Sequence, residues 1–388
     1  MVFSKKLIQV SIAILVAFLP LTGYSTTPEA AASTPAHAAE THAEPTDLKS
    51  KIRAFIDHHV LDAHDFSLFV DESTPEPTHY GFPLPIILWD NGVHFFSSSK
   101  FNHGDEHGKP APSKGNFYVL HHEKIYKSDS DGNIQTVLVK EIKDGKEVVT
   151  KKELKPIDLS ITKGVFTIMV VAFLMFMLFT SLAKSYAKNG GISSGPGRFF
   201  EPIVLYVRDE IAIPNIGEKY YKKYMSYLLT IFFFVWFLNI FGLTPLGINV
   251  TGNIAVTFGL AVITFLITNL TANKNYWGHI FWMPGVPTPM KFILAPIELL
   301  GVLIKPFSLM IRLYANIFAG HIVLMSLIGL MFIFKNWLGS SLSFLLSFAI
   351  STIEILVALL QAYIFTMLSA LYFGSAVEEH HHEGAEHH

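Results

Sequence analysis

The sequence predicts an all-α polytopic membrane protein with five membrane-crossing helices and an N-terminal, extracytoplasmic, small β-rich head. Three observations lead to this fold class. The 388-residue chain is 51% hydrophobic and only 15% charged, with a mean hydropathy of +0.40, which is too few charges for an ordinary soluble surface. Long charge-free runs fill its second half. Polar residues are instead concentrated in one block near the amino end, at residues 26–155.

The composition also excludes several functions. The net charge of −2 lacks the basic excess of a nucleic-acid binder, so we expect no nucleic-acid partner. The absence of cysteine excludes disulfides, Cys-ligated metal sites, Fe–S clusters and thiol nucleophiles. The sequence has no GxxxxGK[ST] phosphate loop, so this chain should not bind ATP itself. No catalytic residue and no cofactor is predicted.

The amino end resembles a secretory signal. Lys5 and Lys6 precede an apolar run, Leu7–Leu19, of 13 residues. At about 1.5 Å per residue, this run is shorter than the roughly 30 Å hydrocarbon core of a membrane. Small residues follow at Gly23–Ser25, so residues 1–25 are predicted to be a cleaved signal peptide. An uncleaved anchor is the alternative, and both place the next segment outside the cytoplasm.

The head is predicted over residues 26–155. Its start, residues 26–47, is rich in Ala, Thr, Pro and Glu without periodicity and is predicted to be a disordered linker. A short helix is predicted at Leu48–Val60. The Asp144-Gly145 pair is a strong hairpin signal between the last two of five predicted strands. These strands are Ile86–Trp89, Gly92–Phe96, Phe117–His121, Ile134–Ile142 and Glu147–Lys151.

Eleven histidines in the head raise the possibility of a metal site. None forms an HExxH motif or another tight ligand spacing, so solvated surface histidines are the favoured interpretation and no metal site is predicted. The set includes His58, His59, His64, His103, His107, His121 and His122.

One segment of the head imitates the opening of a calcium loop, with Asp129, Asp131 and Asn133. Its glycine falls at the fourth position of the loop instead of the sixth, and Lys140 occupies the place of the closing Glu. The segment is therefore predicted to be a turn.

Five charge-poor stretches of sufficient length predict the membrane domain, residues 156–376. The last two exceed the length of one perpendicular crossing, so we expect both helices to be strongly tilted. The crossings are predicted at Gly164–Ala183, 226–245, 252–271, Phe292–Phe334 and Leu338–Phe373.

Basic residues collect between the first and second crossings, and Lys274 and Lys291 flank the next return loop. The positive-inside rule makes this side the cytoplasm, so the head lies outside and the His/Glu-rich tail, 377–388, lies inside. Residues 198–224 are predicted to form an amphipathic helix on the inner surface, with a soluble loop helix as the alternative. The basic residues are Lys184, Lys188, Arg198, Arg208, Lys219, Lys222 and Lys223.

The stretch 296–373 contains only five charges. Lys335 fits a loop between the last two helices. Arg312 and Glu354 have long apolar flanks, where a charge costs about 2.5–3.5 kcal/mol on insertion scales and normally marks an ion pathway or a counter-ion. The other two charges are Glu298 and Lys305, and the polar neighbours are Asn316, His321 and Gln361.

Helical spacing relates these residues to one another. Arg312 and Asn316 are one helical turn apart. Glu354 and Gln361 are seven residues apart and share one face of the last helix. Glu298 and Arg312 are fourteen residues apart and roughly share a face as well. His321 lies nine residues after Arg312, on about the opposite face. A buried salt bridge between Arg312 and Glu354 that only holds two helices together is the structural alternative. The small residues Ala315, Ala319 and Gly320 allow close helix approach.

These motifs carry a family resemblance. The run Lys305–His321, KPFSLMIRLYANIFAGH, resembles the signature helix of subunit a of F-type ATP synthases, and Leu360–Phe365, LQAYIF, is similar to the last-helix motif of that family. Glu298 stands 14 residues before the arginine, as in the family. Asn239–Pro245, NIFGLTP, fits less closely. The resemblance covers about residues 160–376.

The resemblance implies roles for individual residues. Arg312 would be the stator arginine that faces the rotor ring of c subunits, with Asn316 and Gln361 as polar residues near it. His321 and Glu354 would exchange protons along the outer half-channel; many bacterial relatives have Glu and His at these two positions, so the pair is exchanged here. Glu298 would line the cytoplasmic route.

The resemblance also implies a setting and partners. The chain would be the proton-translocating, non-catalytic stator subunit of the Fo sector in the cell inner membrane. Its partners would be the c-subunit ring, the b-subunit peripheral stalk, the rest of the ATP synthase and membrane lipid. A secondary transporter with a buried Arg/Glu site is the alternative function, although it would usually show paired repeats, which this sequence lacks.

Overall fold

The computed structural model of the chain describes residues 62–71, 78–104, 109–121, 123–143, 146–188, 195, 197–244, 248–283, 286–333 and 337–378. These residues form two compact units. One contains the head through Ile168, together with Thr244 and the loop residues 248–250. The other contains the helices from Met169 onward.

The head is rich in β-strands, as predicted, and its strand pairs are antiparallel. Its described residues form two hairpins, β1-β2 and β8-β9, and two three-stranded sheets in the orders β10-β3-β4 and β5-β6-β7. A short 3₁₀ helix, Ser98–Gly104, follows β4. The strands are β1 Asp65–Asp71, β2 Thr78–Pro83, β3 Pro85–Trp89, β4 Val93–Ser97, β5 Ala111–Ser113, β6 Asn116–His121, β7 Lys124–Ser128, β8 Thr136–Lys143, β9 Lys146–Glu153 and β10 Ile157–Asp158.

All five strands predicted from the sequence are present with shifts of a few residues, and five others were missed. Of the missed strands, β5 and β10 are three and two residues long, too short for an alternating pattern. The hairpin prediction is supported by its flanks, since Lys143 pairs with Lys146, while the two turn residues lie outside the described part. The sheet also continues past residue 155, because β10 pairs with β3.

The core of the head explains its strand pattern. The buried face of β3 and β4 carries Ile86, Leu88 and Phe96, which pack with Tyr118 of β6 in one cluster. The Asp129 carboxylate accepts hydrogen bonds from the backbone N–H groups of Asp131 (3.1 Å) and Asn133 (2.8 Å). This pattern is the predicted turn, because the oxygens that would bind calcium are engaged with local backbone.

Among the residues that the structure describes, five helices are long and apolar enough to cross a membrane, which agrees with the predicted number. The last two have 46 and 41 residues, and their predicted tilt stays a prediction. The helices are α1 Lys163–Lys188, α2 Gly197–Tyr206, α3 Ile213–Ile216, α4 Tyr221–Leu243, α5 Ile254–Thr271, α6 Lys274–Phe281, α7 Thr288–Ile333 and α8 Trp337–Val377; the membrane-crossing candidates are α1, α4, α5, α7 and α8.

The predicted amphipathic helix over 198–224 is shorter than expected. The helical segment runs through α2, a π-helical stretch at Val207–Ala212 and α3, and it ends before Gly217. Gly217 has φ +87°, a left-handed conformation that glycine adopts without a Cβ clash. Residues 221–224 therefore begin the next crossing instead of completing this helix.

Polar side chains join the membrane helices at one end of the bundle. The hydroxyls of Tyr224 and Thr271 lie 2.7 Å apart, and the Tyr224 ring stacks on Phe373 with centroids 4.6 Å apart. Asn273, between α5 and α6, donates from its backbone N–H to Ala376 O (2.9 Å) and from its side chain to Val377 O (3.0 Å). These bonds satisfy carbonyls at the end of α8 that have no partner within the helix.

Two histidines of the head correct the prediction of solvated surface histidines. His64 and His94 are only 4% and 3% exposed. His64 pairs with the Asp158 carboxylate at 2.8 Å, and His94 bonds the Ser113 hydroxyl and the Asp90 carbonyl. Among the described residues, no group of three or more His, Asp or Glu side chains is arranged to hold a metal ion.

Several predictions fall outside the described residues. They are the signal peptide 1–25, the linker 26–47, the helix Leu48–Val60 and the tail beyond residue 378. The same holds for His58, His59, His107 and His122, and for the side chain of His103.

Candidate functional site

A small cavity with several polar side chains in its wall lies where α4, α7 and α8 meet. Its volume of about 20 Å³ is enough for one water molecule. The residues around it come from all three helices, so the cavity depends on their packing. It is lined by Asn239, Leu243, Asn316, Ile317, Gly320, His321, Glu354, Val357 and Ala358.

His321 and Glu354 share this cavity although 33 residues separate them in the sequence. His321 is 6% exposed. Neither carboxylate oxygen of Glu354 has a hydrogen-bond partner among the described residues, and both oxygens are buried. Gly320 makes room for this carboxylate, since a Cβ built on it would lie 2.5 Å from Glu354 Oε1. An acid and an imidazole therefore face one space the size of a water molecule.

Asn316 connects the cavity to Gln361. Its side-chain amide donates a hydrogen bond of 3.0 Å to Gln361 Oε1, which joins α7 to α8. Gln361 is 2% exposed, so its orientation is fixed by this bond and by its surroundings. The two residues that the sequence assigned to polar support of Arg312 thus contact each other directly.

Arg312 lies one turn before Asn316 on α7 and is exposed. His321 is buried, so the two side chains have different surroundings, as expected for residues on about opposite faces of one helix. In the part of the chain that the structure describes, no ion pair joins Arg312 to Glu354, whose carboxylate oxygens lack hydrogen-bond partners there. The structure therefore does not favour the alternative of a purely structural salt bridge.

A second, smaller cavity of about 10 Å³ lies further along α7 toward its amino end. Lys305 and Tyr372 belong to its wall, and the Lys305 ammonium lies 5.6 Å from the centre of the Tyr372 ring. Glu298 is half-buried on the same helix but lines neither cavity. The remaining wall consists of Ala261, Thr264, Phe265, Thr268, Asn269, Tyr276, Val302, Pro306 and Leu309.

Sequence reasoning missed Asn239 as a site residue. This side chain is 3% exposed, accepts a 2.7 Å hydrogen bond from the Thr251 hydroxyl, and donates to the Ala358 carbonyl at 3.4 Å. It thereby connects α4 to α8 beside the cavity. A lone Asn near the end of an apolar crossing is a weak signal, because single polar residues often join helices without further function.

Comparison with known proteins identifies the family. The sequence model of the family described as ATP synthase A chain matches residues 165–374, more than half of the chain. The chain belongs to this family. It is 40% identical to ATP synthase subunit a of Chlorobium phaeobacteroides over an alignment of 300 residues. This alignment covers 74% of this chain and 83% of the relative. It is 40% identical to ATP synthase subunit a of Myxococcus xanthus, covering 60% and 78% of the two chains.

Family membership confirms the predicted resemblance to subunit a of F-type ATP synthases. Members of the family are membrane subunits of a complex that couples proton transport to ATP synthesis, and they are not catalytic on their own. The secondary-transporter alternative is accordingly not favoured. A further family model, described as a domain of unknown function (DUF8433), matches residues 55–159, which include most of the head.

Proposed function

We propose that this chain conducts protons through two half-channels that are separated by Arg312. The observation that carries this proposal is a pair of small cavities with polar side chains in their walls, which lie on either side of Arg312 along α7. The second cavity ends at Leu309 and the first begins at Asn316. Seven residues of helix correspond to about 10 Å, so position 312 lies between the two cavities along the helix.

Arg312 suits the barrier between these spaces. A guanidinium stays protonated even when it is poorly solvated, whereas a desolvated Lys loses its proton more readily. A fixed positive charge also lowers the pKa of a carboxylate that approaches it. We propose that this carboxylate belongs to a ring of c subunits, which releases its proton at Arg312 and takes up another before it returns to lipid.

Glu354 and His321 would pass protons through the outer half-channel. Both carry titratable groups, and both face the one cavity of about 20 Å³. A single water in this space would place a proton acceptor between the imidazole and the carboxylate. Asn316 and Gln361 would hold the neighbouring wall in position through their 3.0 Å hydrogen bond. Glu298, which lines neither cavity, would act at the cytoplasmic end of the second route.

The chain direction supports this assignment of sides. If α1 begins on the head side, the alternation of crossings brings the end of α4 and the end of α7 to that same side, together with the Asn239–His321 cavity. The basic residues between α1 and α4 then lie in the cytoplasm. The head would be extracytoplasmic, and the C-terminal tail cytoplasmic, beside the b-subunit stalk and the rest of the complex.

The driving force fits a rotary device. One charge that crosses a potential of 100 mV releases about 2.3 kcal/mol. Several protons are therefore needed for each ATP, and a ring that turns past a fixed stator can add their contributions. Subunit a supplies the fixed charge and the two routes, while the nucleotide chemistry takes place elsewhere in the complex.

The proposal is tested by ATP-driven acidification of inverted membrane vesicles that carry Arg312→Ala. Assembly is measured in the same preparation, and Arg198→Ala, at an exposed arginine of α2, is the matched control. We expect an assembled complex that no longer pumps with Arg312→Ala and near-native pumping with Arg198→Ala. An assembled Arg312→Ala complex that pumps at the native rate would refute the proposed role of the arginine.

A further inference from the structure

We propose that one apolar face of the head lies on the membrane surface. The face belongs to the β10-β3-β4 sheet, and its partner is the lipid interface of the leaflet where α1 enters. We call it the outer sheet face, and it consists of Ile87, Trp89, Val93, Phe95, Ile157 and Leu159.

Buried residues alternate with exposed or half-buried ones along β3 and β4, and Ile87 is half-buried. In β3, Ile86 and Leu88 are buried, while Trp89 is 55% exposed. In β4, Phe96 is buried and Phe95 is 68% exposed. The pairing places Trp89 opposite both Val93 and Ile157, so the exposed residues form one continuous surface.

Both faces of this sheet are therefore apolar, although the core covers only one of them. An antiparallel sheet with one solvated face usually alternates apolar residues with polar ones. Contiguous exposed apolar surface is rare in soluble domains and marks a site of interaction with a protein or a membrane. The outer sheet face thus requires a partner.

The sheet continues almost without interruption into the membrane-crossing helix. Leu159 N–H donates to Ile87 O at 2.9 Å, and Ile161 N–H donates to Pro85 O at 3.2 Å, which extends the pairing beyond β10. The first residue of α1, Lys163, follows only two residues after Ile161. Two residues span at most about 7 Å, so this edge of the sheet is held at the point where the chain enters the membrane.

Side-chain packing also holds the head against the first turns of α1, a region that we call the junction. The rings of Phe66 and Phe82 stack at 4.8 Å, and both lie edge-on to Phe166 in the first turns of α1, at 5.4 and 5.3 Å. Asp62 accepts hydrogen bonds from Gly164 N–H and the Thr162 hydroxyl, each 2.8 Å long. The head is thus attached to the start of α1 by packing and hydrogen bonds as well as by the chain.

These observations favour lipid over a protein partner. The outer sheet face is continuous with an element that enters the membrane, and its members include Trp89 and Phe95. Aromatic rings, Trp above all, are enriched at the boundary between headgroups and hydrocarbon. A flat apolar surface next to a membrane-crossing helix can contact the lipid headgroup region directly.

Because the chain lacks cysteine, single Cys variants can be labelled at chosen positions. Phe95→Cys and Leu138→Cys form a matched pair, since the two side chains are 68% and 65% exposed and both belong to strands of the head. Phe173→Cys, 62% exposed on α1, provides a reference inside the membrane. Each variant is spin-labelled and reconstituted as the full chain in nanodiscs of phosphatidylcholine and phosphatidylglycerol.

Power saturation then measures the collision of each label with oxygen, which partitions into lipid, and with a water-soluble nickel chelate. We expect the label at position 95 to be several-fold less accessible to nickel than the label at 138, with oxygen accessibility shifted toward that at 173. Equal nickel accessibility at 95 and 138 would overturn the proposal. A label at 95 that is protected from nickel but shows no increase in oxygen accessibility would indicate a protein partner and would overturn the proposal. Protection from nickel that occurs only in the assembled ATP synthase would lead to the same conclusion.

The inference needs only that α1 crosses the membrane. It does not depend on proton transfer at Arg312, so failure of one proposal would leave the other unaffected.

Discussion

The carboxylate of Glu354 lies against the backbone of Gly320, so close that a Cβ at position 320 would be 2.5 Å from Oε1. Real Cβ atoms essentially never approach an oxygen this closely. The glycine therefore allows an acid of α8 to enter the cavity beside His321 of α7. The site consequently depends on a residue that carries no side chain.

The first prediction concerns this contact. Gly320→Ala should displace the Glu354 carboxylate and reduce ATP-driven proton pumping by about tenfold or more, since small misplacements of reacting groups are costly. Gly301→Ala is the control on the same helix, because a Cβ there meets nothing within 4 Å. Both variants should assemble, and pumping should be measured per assembled complex. Equal pumping by the two variants would show that the carboxylate position is unimportant.

The second prediction exchanges the acid and the imidazole. His321→Glu alone places two acids in one small cavity, where like charges disfavour simultaneous ionisation, and Glu354→His alone places two imidazoles there. Both single variants should pump poorly. The double variant restores one group of each kind and should pump several-fold better than either single variant. If the double variant were as poor as the worse single variant, the two side chains would not act as an interchangeable pair in one cavity.

The third prediction concerns the packing of α8 on α3. A Cβ at Gly374 would overlap the backbone carbonyl oxygen of Asn215, which cannot rotate away as a side chain can. Gly374→Ala should therefore destabilise the chain by about 1–3 kcal/mol, the usual cost of overpacking. Gly301→Ala should be neutral or slightly stabilising, because alanine favours helix by up to about 1 kcal/mol. Thermal unfolding in detergent measures the difference, and a Gly374→Ala protein as stable as wild type would contradict the close approach.

The membrane helices could be predicted from the sequence because the hydrocarbon core requires apolar side chains and a backbone whose hydrogen bonds are all internal. Twenty apolar residues with internally satisfied backbone must be helical, so the charge-free runs predicted all five candidate crossings within a few residues. The end of the amphipathic segment was predicted less accurately. Its apolar spacing continues to residue 224, and the break depends on one glycine backbone conformation at Gly217.

The site was predictable as residue types but not as geometry. Arg312, Glu354 and His321 stand out because polar groups are costly within apolar runs. That His321 and Glu354 share a cavity, and that Asn239 completes it, depends on three helices packing together. In the head, β1 and β2 were missed because their residues alternate weakly, and His64 was assigned to the surface because its partner Asp158 lies 94 residues away.

That pairing of His64 with Asp158 leads to the last prediction, a pH dependence at the base of the head. Burial by itself would lower the pKa of His64, but the hydrogen bond and charge of Asp158, with smaller contributions from Glu123 and Asp62, raise it above 6.5. Burial would raise the pKa of Asp158, yet the hydrogen bond from His64 holds it below 3.8. Burial raises the pKa of both Asp62 and Glu123. Asp65 and Lys163 are the other charged groups near this cluster.

The direction of the effect follows from these shifts. The contribution of His64 to stability is fully present below pH 6.5 and is lost as the pH rises through its raised folded value. The contribution of Asp158 is present above pH 3.8 and is lost as the pH falls through its lowered folded value. The raised pKa values of Asp62 and Glu123 also oppose folding as the pH rises. The stability of these contacts should thus fall as the pH rises from about 5 toward 8, and it should also fall in acid below about pH 4.

Hydrogen exchange of the backbone amides at this junction measures the effect. The amides of Ser160, Lys163 and Gly164 donate to Asp158, Ala63 and Asp62, so they report directly on whether the junction is closed. After correction for intrinsic rates, their protection should fall several-fold between pH 5.5 and 8.0, and His64→Gln should remove most of this change. His94→Gln is the control, because His94 is equally buried but bonds a hydroxyl and a carbonyl instead of a carboxylate. A pH dependence that persists unchanged in His64→Gln would contradict the prediction. Its loss in His94→Gln would show that His94 is the titrating residue.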